Sequence, residues 1–241
     1  RPLDTLRPPA FMTRRPVDSK GRLLALPVAL STPVLYINQE AFRKVGLNPD
    51  QPPQTWFDLQ QALGQLIDSG VRCPYTVANP GRVMIDNTSA WHNEPGVVRR
   101  GKGEALSING MLQIKHVAMM ASWYRSSYLH IFGRGAEAEQ HFTSGECAVI
   151  AAPSSSWTDF RRQARFPVMV SSLPYHDDYH GAPQNTLLDG ASMWVAAGRS
   201  APEYKTIARF VSFWLEPDNQ VAWQRDTGFL PLNRAGVTVA R

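Results

Sequence analysis

Four short stretches of this 241-residue sequence carry residues that could do chemistry. The run His176-Asp177-Asp178-Tyr179-His180 places two imidazoles four residues apart beside two carboxylates. On a helix such a pair shares one face and can grip a metal ion. Here the run lies between expected strands, in a loop bounded by Pro and Gly. Spacing supplies no third ligand, so a solvated loop is the plainer reading. Cys147 could act as a nucleophile, but it opens the apolar run CAVIAA, where a structural thiol fits better. GKGEAL (101–106) and GRGAEA (133–138) share glycines with nucleotide-cradling loops. Neither follows an expected strand, and both read as surface turns. There is no G-x-S-x-G nucleophile elbow and no Walker A sequence. A metal-dependent hydrolase of phosphate esters or glycosides would have to use Asp177, Asp178, His176 and His180, the only clustered candidates. No catalytic residue, metal or cofactor is assigned, and an enzyme is not expected.

What remains suits binding without turnover. Ser154, Ser155 and Ser156 precede an expected helix, and Ser156 with Asp159 forms an S-x-x-D pattern that can cap it. Unpaired N–H groups and a partial positive charge at such a helix start suit a phosphate or a sugar hydroxyl, although a cap without a ligand explains the pattern equally well. Seven Trp residues could supply stacking faces. Trp214 and Trp223, at helical spacing, read as core.

The elements that must position these groups alternate between strand and helix. Thr32–Ile37 reads as a buried strand after an apolar run broken by Pro27 and Pro33. Asn38 can cap a short helix, 39–45, that Gly46 ends. Thr55 and Asp58 make a capping box for a helix whose Leu59, Ala62, Leu63, Leu66 and Ile67 share one face, with Gly70 at its end. Strands are expected at 73–78, 147–152, 166–171 and 191–197. Helices are expected at 111–124 (Ile114, Val117, Ala118 and Ala121 inward), 136–143, 157–164 and from Pro202. A second helix follows Pro217 and ends at Gly228. Residues 79–110 read as irregular, and 175–184 as a polar loop. The pattern is that of an α/β sheet with crossover helices.

Composition bounds the answer further. Hydrophobic residues make up 43%, enough for a sizeable core, and no apolar run is long enough to span a membrane. The net charge of +5 comes from scattered Lys and Arg, with no stripe to track a phosphate backbone, so nucleic acid is not an expected partner. Cys73 and Cys147, expected at the starts of two strands, could form a disulfide in an oxidising compartment or remain buried thiols. Residues 1–22, basic and Pro-rich, read as a loop or mid-domain segment, with further chain expected upstream.

Taken together, several segments resemble a known family. STPVLYINQEAFRKVGLNPDQPPQTWFDL (31–59) is similar to the hinge-strand signature of family 1 extracellular solute-binding proteins, the soluble capture components of ABC importers. CPYTVA, SAWHNEP, FTSGECAVIAAPSSS, LPYHDDYHGAPQNTLLDGASMWV and TGFLPL follow in family order. The subgroup most resembled binds glycerol-3-phosphate and glycerophosphodiesters.

The resemblance implies a two-lobed α/β fold of the type II periplasmic-binding-protein kind, with solute held in a cleft. Residues 1–37 would end lobe 1 and make the first hinge crossing. Residues 38–188 would form lobe 2, 189–228 the return crossing and lobe 1 helices, and 229–241 a third crossing. The expected partners are a small polar solute and ABC permease subunits. An extracytoplasmic location in the bacterial envelope is implied, with peripheral membrane association through the transporter or a lipid anchor on further upstream chain. An isolated lobe that binds nothing is the alternative.

By the same resemblance, Ser31 matches a ligand-contacting serine at the hinge strand. Gly190 matches a glycine whose backbone faces the ligand, where lack of a Cβ permits the approach. Phe229 stands where the subgroup has a cleft tyrosine. The subgroup's serine at a strand end is Pro153 here, with Ser154 adjoining it as a substitute. Two stacking tryptophans are replaced by Asn79 and Arg82. That exchanges aromatic faces for hydrogen-bonding and charged groups, and Arg82 suits a phosphate or carboxylate.

Overall fold

The computed structural model describes residues 24–230, which divide into two compact units. The basic opening at 1–22 and most of the expected third crossing lie outside the described residues. Unit 2, residues 32–187, is built on five strands: β2 Pro33–Asn38, β3 Cys73–Val77, β6 Leu129–His130, β7 Cys147–Pro153 and β8 Val168–Ser171. Their order is β6-β3-β7-β2-β8. β7 runs parallel to β3 and antiparallel to β2, so the sheet is mixed. β3 is buried along its whole length and β7 over all but Pro153, as their unbroken apolar runs require.

Local signals explain the helices that cover this sheet. Asn38 Oδ1 accepts from the amides of Glu40 and Ala41 and starts α1 Gln39–Lys44. Thr55 and Asp58 close a reciprocal capping box on α2 Trp56–Asp68, which buries Leu59, Ala62, Leu63 and Leu66 on the sheet. Gly46 and Gly70, at φ +78° and +91°, take up the left-handed positions that end these two helices. Cys73 and Cys147 face each other in the β3–β7 register and are joined by a disulfide, with Cα atoms 4.5 Å apart.

Elsewhere in unit 2 the sequence reading needs correction. Residues 79–110 are structured: a π-helical segment Arg82–Asn87 runs into α3 Thr88–Trp91, and β4 Val97–Arg100 pairs with β5 Gly103–Leu106 as a hairpin turning at Gly101. Helix α4 Met111–Arg125 turns Leu112, Gln113, His116, Met120 and Trp123 inward and leaves Ile114 and Val117 exposed. Its buried polar residues Gln113 and His116 each meet one distant partner, Ser89 and His176, which apolar periodicity cannot show. Ser156 does not cap α6 Trp157–Gln163; it sits in a 3₁₀ turn and gives its hydroxyl to Glu139 at the start of α5 Ala138–Thr143. His176 is buried, whereas His180 is exposed.

The described part of unit 1 comprises residues 24–31 and 188–230. β1 Leu26–Ser31 pairs antiparallel with β9 Asp189–Met193, followed by α7 Ala201–Trp214 and α8 Pro217–Thr227. β1 lies in the run that Pro27 made unreadable as a strand. The ladder accommodates that proline with a register shift between Pro27 and Ala29. β9 starts two residues earlier than its apolar run suggests. Gly228, at φ +75°, ends α8.

Candidate functional site

In unit 1 the chain segments that carry Ser31, Gly190 and Phe229 lie side by side. Leu30 pairs with Gly190 and Ser31 with Asp189 across the β1–β9 ladder. On its other side Leu30 bridges to Leu230, whose amide donates to the Leu30 carbonyl at 2.7 Å. The three chain segments carrying the expected residues are therefore adjacent. Ser31 is buried. Phe229 stacks on Trp223 with ring centres 6.1 Å apart and planes at 15°, and Trp223 meets Trp214 edge to face.

Gly190 has a reason of its own to lack a side chain. At φ +141° a Cβ would lie 1.5 Å from the Ala29 carbonyl oxygen, so no other residue fits without parting the strands. Close approach by the neighbouring strand, within the chain itself, is what this glycine permits.

In unit 2, Asn79 and Ser154 sit at the carboxyl ends of neighbouring parallel strands. Val77 is in register with Ala151, and the Ala78 amide donates to Ala151 O at 2.9 Å. Beyond that point the chains part, leaving polar groups at the sheet end, the usual location of ligand sites in α/β sheets. Asn79 turns the chain at φ +51°, a conformation asparagine tolerates. Its amide donates to Gly135 O, and its carbonyl accepts from Arg82 and Val83 to begin the π-helical segment. Arg82 thus lies one turn beyond Asn79, paired with Asp86 at 3.0 Å and partly exposed. π-Helical segments are rare and concentrate at functional sites.

Ser154 is held by Thr32, which donates its amide to Ser154 Oγ at 3.2 Å and accepts the Ser154 amide at 2.8 Å. The Tyr36 hydroxyl is shared between the carbonyls of Pro153 and Ser154. Burial first, then the negative charge of Glu139, drives the Tyr36 hydroxyl well above the usual phenol range. Ser156 Oγ donates to Glu139 Oε1 at 2.7 Å. Burial raises the Glu139 carboxyl, a shift the Ser156 hydrogen bond partly offsets. Sequence reasoning missed Thr32, Tyr36 and Glu139. No motif marks them, and only the β2–β7 pairing and the packing of α5 bring them to the strand end.

Of the four clustered residues a hydrolase would need, Asp178 and His176 are engaged with other side chains, while Asp177 and His180 are exposed. Asp178 forms an ion pair with Lys115, which holds its carboxyl below the ordinary range. His176 is enclosed by His92, His116 and Trp56. Among the described residues no group of three or more His, Cys, Asp or Glu side chains is arranged to hold a metal ion.

Residues 8–237 match the family model described as bacterial extracellular solute-binding protein. The chain belongs to that family. Its location is therefore outside the cytoplasm, and no described helix is long and apolar enough to cross a membrane. Among members, the sn-glycerol-3-phosphate-binding periplasmic proteins UgpB of Yersinia enterocolitica and Shigella dysenteriae are each 38% identical over 229 residues, 93% of this chain and 52% of theirs. UgpB from Mycobacterium tuberculosis, solved with glycerophosphocholine, superposes with a TM-score of 0.74 at 25% identity, covering 93% of this chain and 57% of that one. Maltose-bound MalE3 of T. maritima, at 18% identity, 91% and 57% coverage and a TM-score of 0.73, shares the fold. These relatives bear out the family resemblance and the α/β binding-protein fold expected from sequence. The chain spans about half the length of the curated relatives it matches.

Proposed function

We propose that this protein is the extracytoplasmic, periplasmic solute-binding component of an ABC importer. It captures a small polar solute of the glycerophosphodiester, glycerol-3-phosphate or sugar-like class and passes it to membrane permease subunits. Its contact with the membrane is then peripheral, through the transporter or a lipid anchor. Capture proceeds without turnover, which agrees with relatives that are named for binding.

The observation that carries this reading is the polar end of the unit 2 sheet. There Asn79 and Ser154 terminate paired parallel strands, and Arg82 stands one helical turn away. Such a set offers an amide, a hydroxyl and a guanidinium to an oxygen-rich, anionic solute. The reading also assigns Ser31, Gly190 and Phe229 of unit 1 to solute binding, with Phe229 offering an aromatic face.

Isothermal titration calorimetry on the product of the whole reading frame tests it. Glycerophosphocholine, sn-glycerol-3-phosphate and maltose are the probes, alongside a generic phosphatase assay. One saturable ligand, with a dissociation constant on the order of micromolar or tighter and no phosphate release, is expected. No saturable ligand among the three, or steady hydrolysis, contradicts it.

A further inference from the structure

The residues that carry Arg82 form an arm, 79–92, fastened along one side to the segment 173–187. Asn87 Oδ1 accepts the Leu187 amide at 2.8 Å, Trp91 O accepts the Gln184 amide at 2.7 Å, and Trp91 Nε1 donates to Leu173 O at 3.2 Å. At the end of the arm three histidines, remote from one another in sequence, come together. The amide of His176 donates to His92 Nε2 at 2.8 Å, and His176 Nε2 lies 3.1 Å from His116 Nδ1. Trp56 covers the cluster, its ring centre 4.8 Å from that of His116 and 6.2 Å from that of His176.

Geometry fixes the protonation that this arrangement tolerates. His92 Nε2 must present a lone pair to the His176 amide, so its proton sits on Nδ1 and is donated to Thr88 O at 2.8 Å. Between His116 and His176 one ring nitrogen donates and the other accepts. A further proton on either contact sets two N–H groups against each other. His116 Nε2 is buried without a hydrogen-bond partner, so a charge there has nothing to receive it.

We propose that His92, His116 and His176 form an acid-sensitive clasp, which holds the Arg82 arm to the 173–187 segment while all three are neutral and releases it when they protonate. The inference rests on the solute-binding reading only for its consequence, since the clasp fastens the arm that carries Asn79 and Arg82.

The surrounding charges are consistent with it. Burial first, then the neighbouring His176 and His92, pulls His116 down to about 3. Burial, then Lys115 and His92, pulls His176 to about 4, against the opposing carboxylates of Asp178 and Asp177. Burial also lowers His92, with Lys115 adding to the effect and the Thr88 carbonyl, Asp178 and Glu94 opposing it. Glu94 itself accepts from the Tyr179 hydroxyl, and Lys115 is held by Asp178. Folded values below the unfolded value of about 6.5 mean that the clasp is at full strength above that pH and weakens as pH falls below it. Each histidine contributes up to about tenfold per pH unit in the opening equilibrium until its folded value is reached.

Amide hydrogen exchange of the product of the whole reading frame, at pH 7 and pH 5 and corrected for intrinsic rates, is the test. Protection at His176, Gln184 and Leu187 is expected to fall at least about tenfold more than at Tyr75 and Ala78 in the sheet. His92→Gln keeps an acceptor for the His176 amide without the titration, and should retain protection at pH 7 while losing part of the difference. A His116→Phe variant should do the same. If a variant does not fold, ring-carbon NMR of the wild-type histidines decides: three histidines remaining neutral at pH 5 support the clasp. Histidines that all charge near pH 6.5, or acid loss of protection spread evenly over unit 2, overturn it. Glycerophosphocholine, whose phosphodiester and quaternary ammonium do not titrate in this range, should keep most of its affinity at pH 5, where the clasp is still closed in most molecules, and lose it as pH falls toward the folded values of about 3 to 4. Failure of that probe to bind at any pH counts against the solute assignment, and the exchange result still decides the clasp.

Discussion

The two units solve the burial problem differently. Unit 2 encloses its sheet: Tyr36, Tyr75, Phe142, Leu59, Leu63 and Leu66 are wholly covered, helices pack against it, and a disulfide ties two central strands at their start. In the described part of unit 1, a two-stranded ladder and two helices leave Trp194 65% exposed and Phe210 and Phe213 about half exposed. Trp194 and Phe210 flank an apolar hollow of about 410 Å³, lined also by Leu26, Met193, Ile207 and Val211. A pair of strands and one helix face cannot cover so much apolar surface. Among the described residues the larger buried core is that of unit 2, while Ser31 of unit 1 and its neighbour Gly190 lie on a single two-stranded ladder.

Four substitutions can break or sharpen that contrast. Removing the disulfide as Cys73→Ser with Cys147→Ser should have the largest effect. It frees a loop of 74 residues, which in the chain-entropy model is worth about 4 kcal/mol, read as a fall in the denaturation midpoint of unit 2. Leu63→Ala, at a wholly buried position, should cost about 3 kcal/mol in the same assay. The equivalent truncation in unit 1, Ile207→Ala on the rim of the hollow, should cost about 1 kcal/mol, because the methyl groups removed are already partly in water. Equal losses at Leu63 and Ile207 would erase the distinction between the units. Thr55→Ala should have an effect of about 1 kcal/mol or less, confined to the first turn of α2. Gly190→Ala stands outside this ranking, for its effect should be local. It forces β1 and β9 apart, so amide protection at the ladder should vanish while the sheet of unit 2 keeps its own.

How much of this was readable beforehand follows the same division. Where a local rule acts within a few residues, sequence and structure agree: the Asn38 cap, the Thr55–Asp58 box, the Gly46, Gly70 and Gly228 stops, and the buried run of β7. Local rules set the ends of the strands before Asn79 and Ser154, but it is the family resemblance that singles out these two residues as site candidates. Features created by distant partners were not. The α4 face was misjudged because Gln113 and His116 are buried by hydrogen bonding to Ser89 and His176, while the apolar Ile114 and Val117 face outward. Ser156 was expected to cap its own helix, but Glu139, 17 residues earlier, takes its hydroxyl. The three histidines come from segments 24 and 60 residues apart, a separation no motif spans. β1 was hidden by a proline that a register shift accommodates.

The strand-end site can be examined without disturbing either core. Arg82→Gln removes a partly exposed charge, and Asn79→Asp keeps a residue that tolerates the left-handed turn while turning a donor into a negative charge. Calorimetric titration of these two variants beside the wild type, with glycerophosphocholine, is the most direct measurement. Saturable binding by the wild type, weakened at least about tenfold in each variant with thermal stability unchanged, is the outcome expected of a solute anchored at the ends of β3 and β7. Wild-type affinity in both variants would place the solute elsewhere and remove the basis of the functional reading.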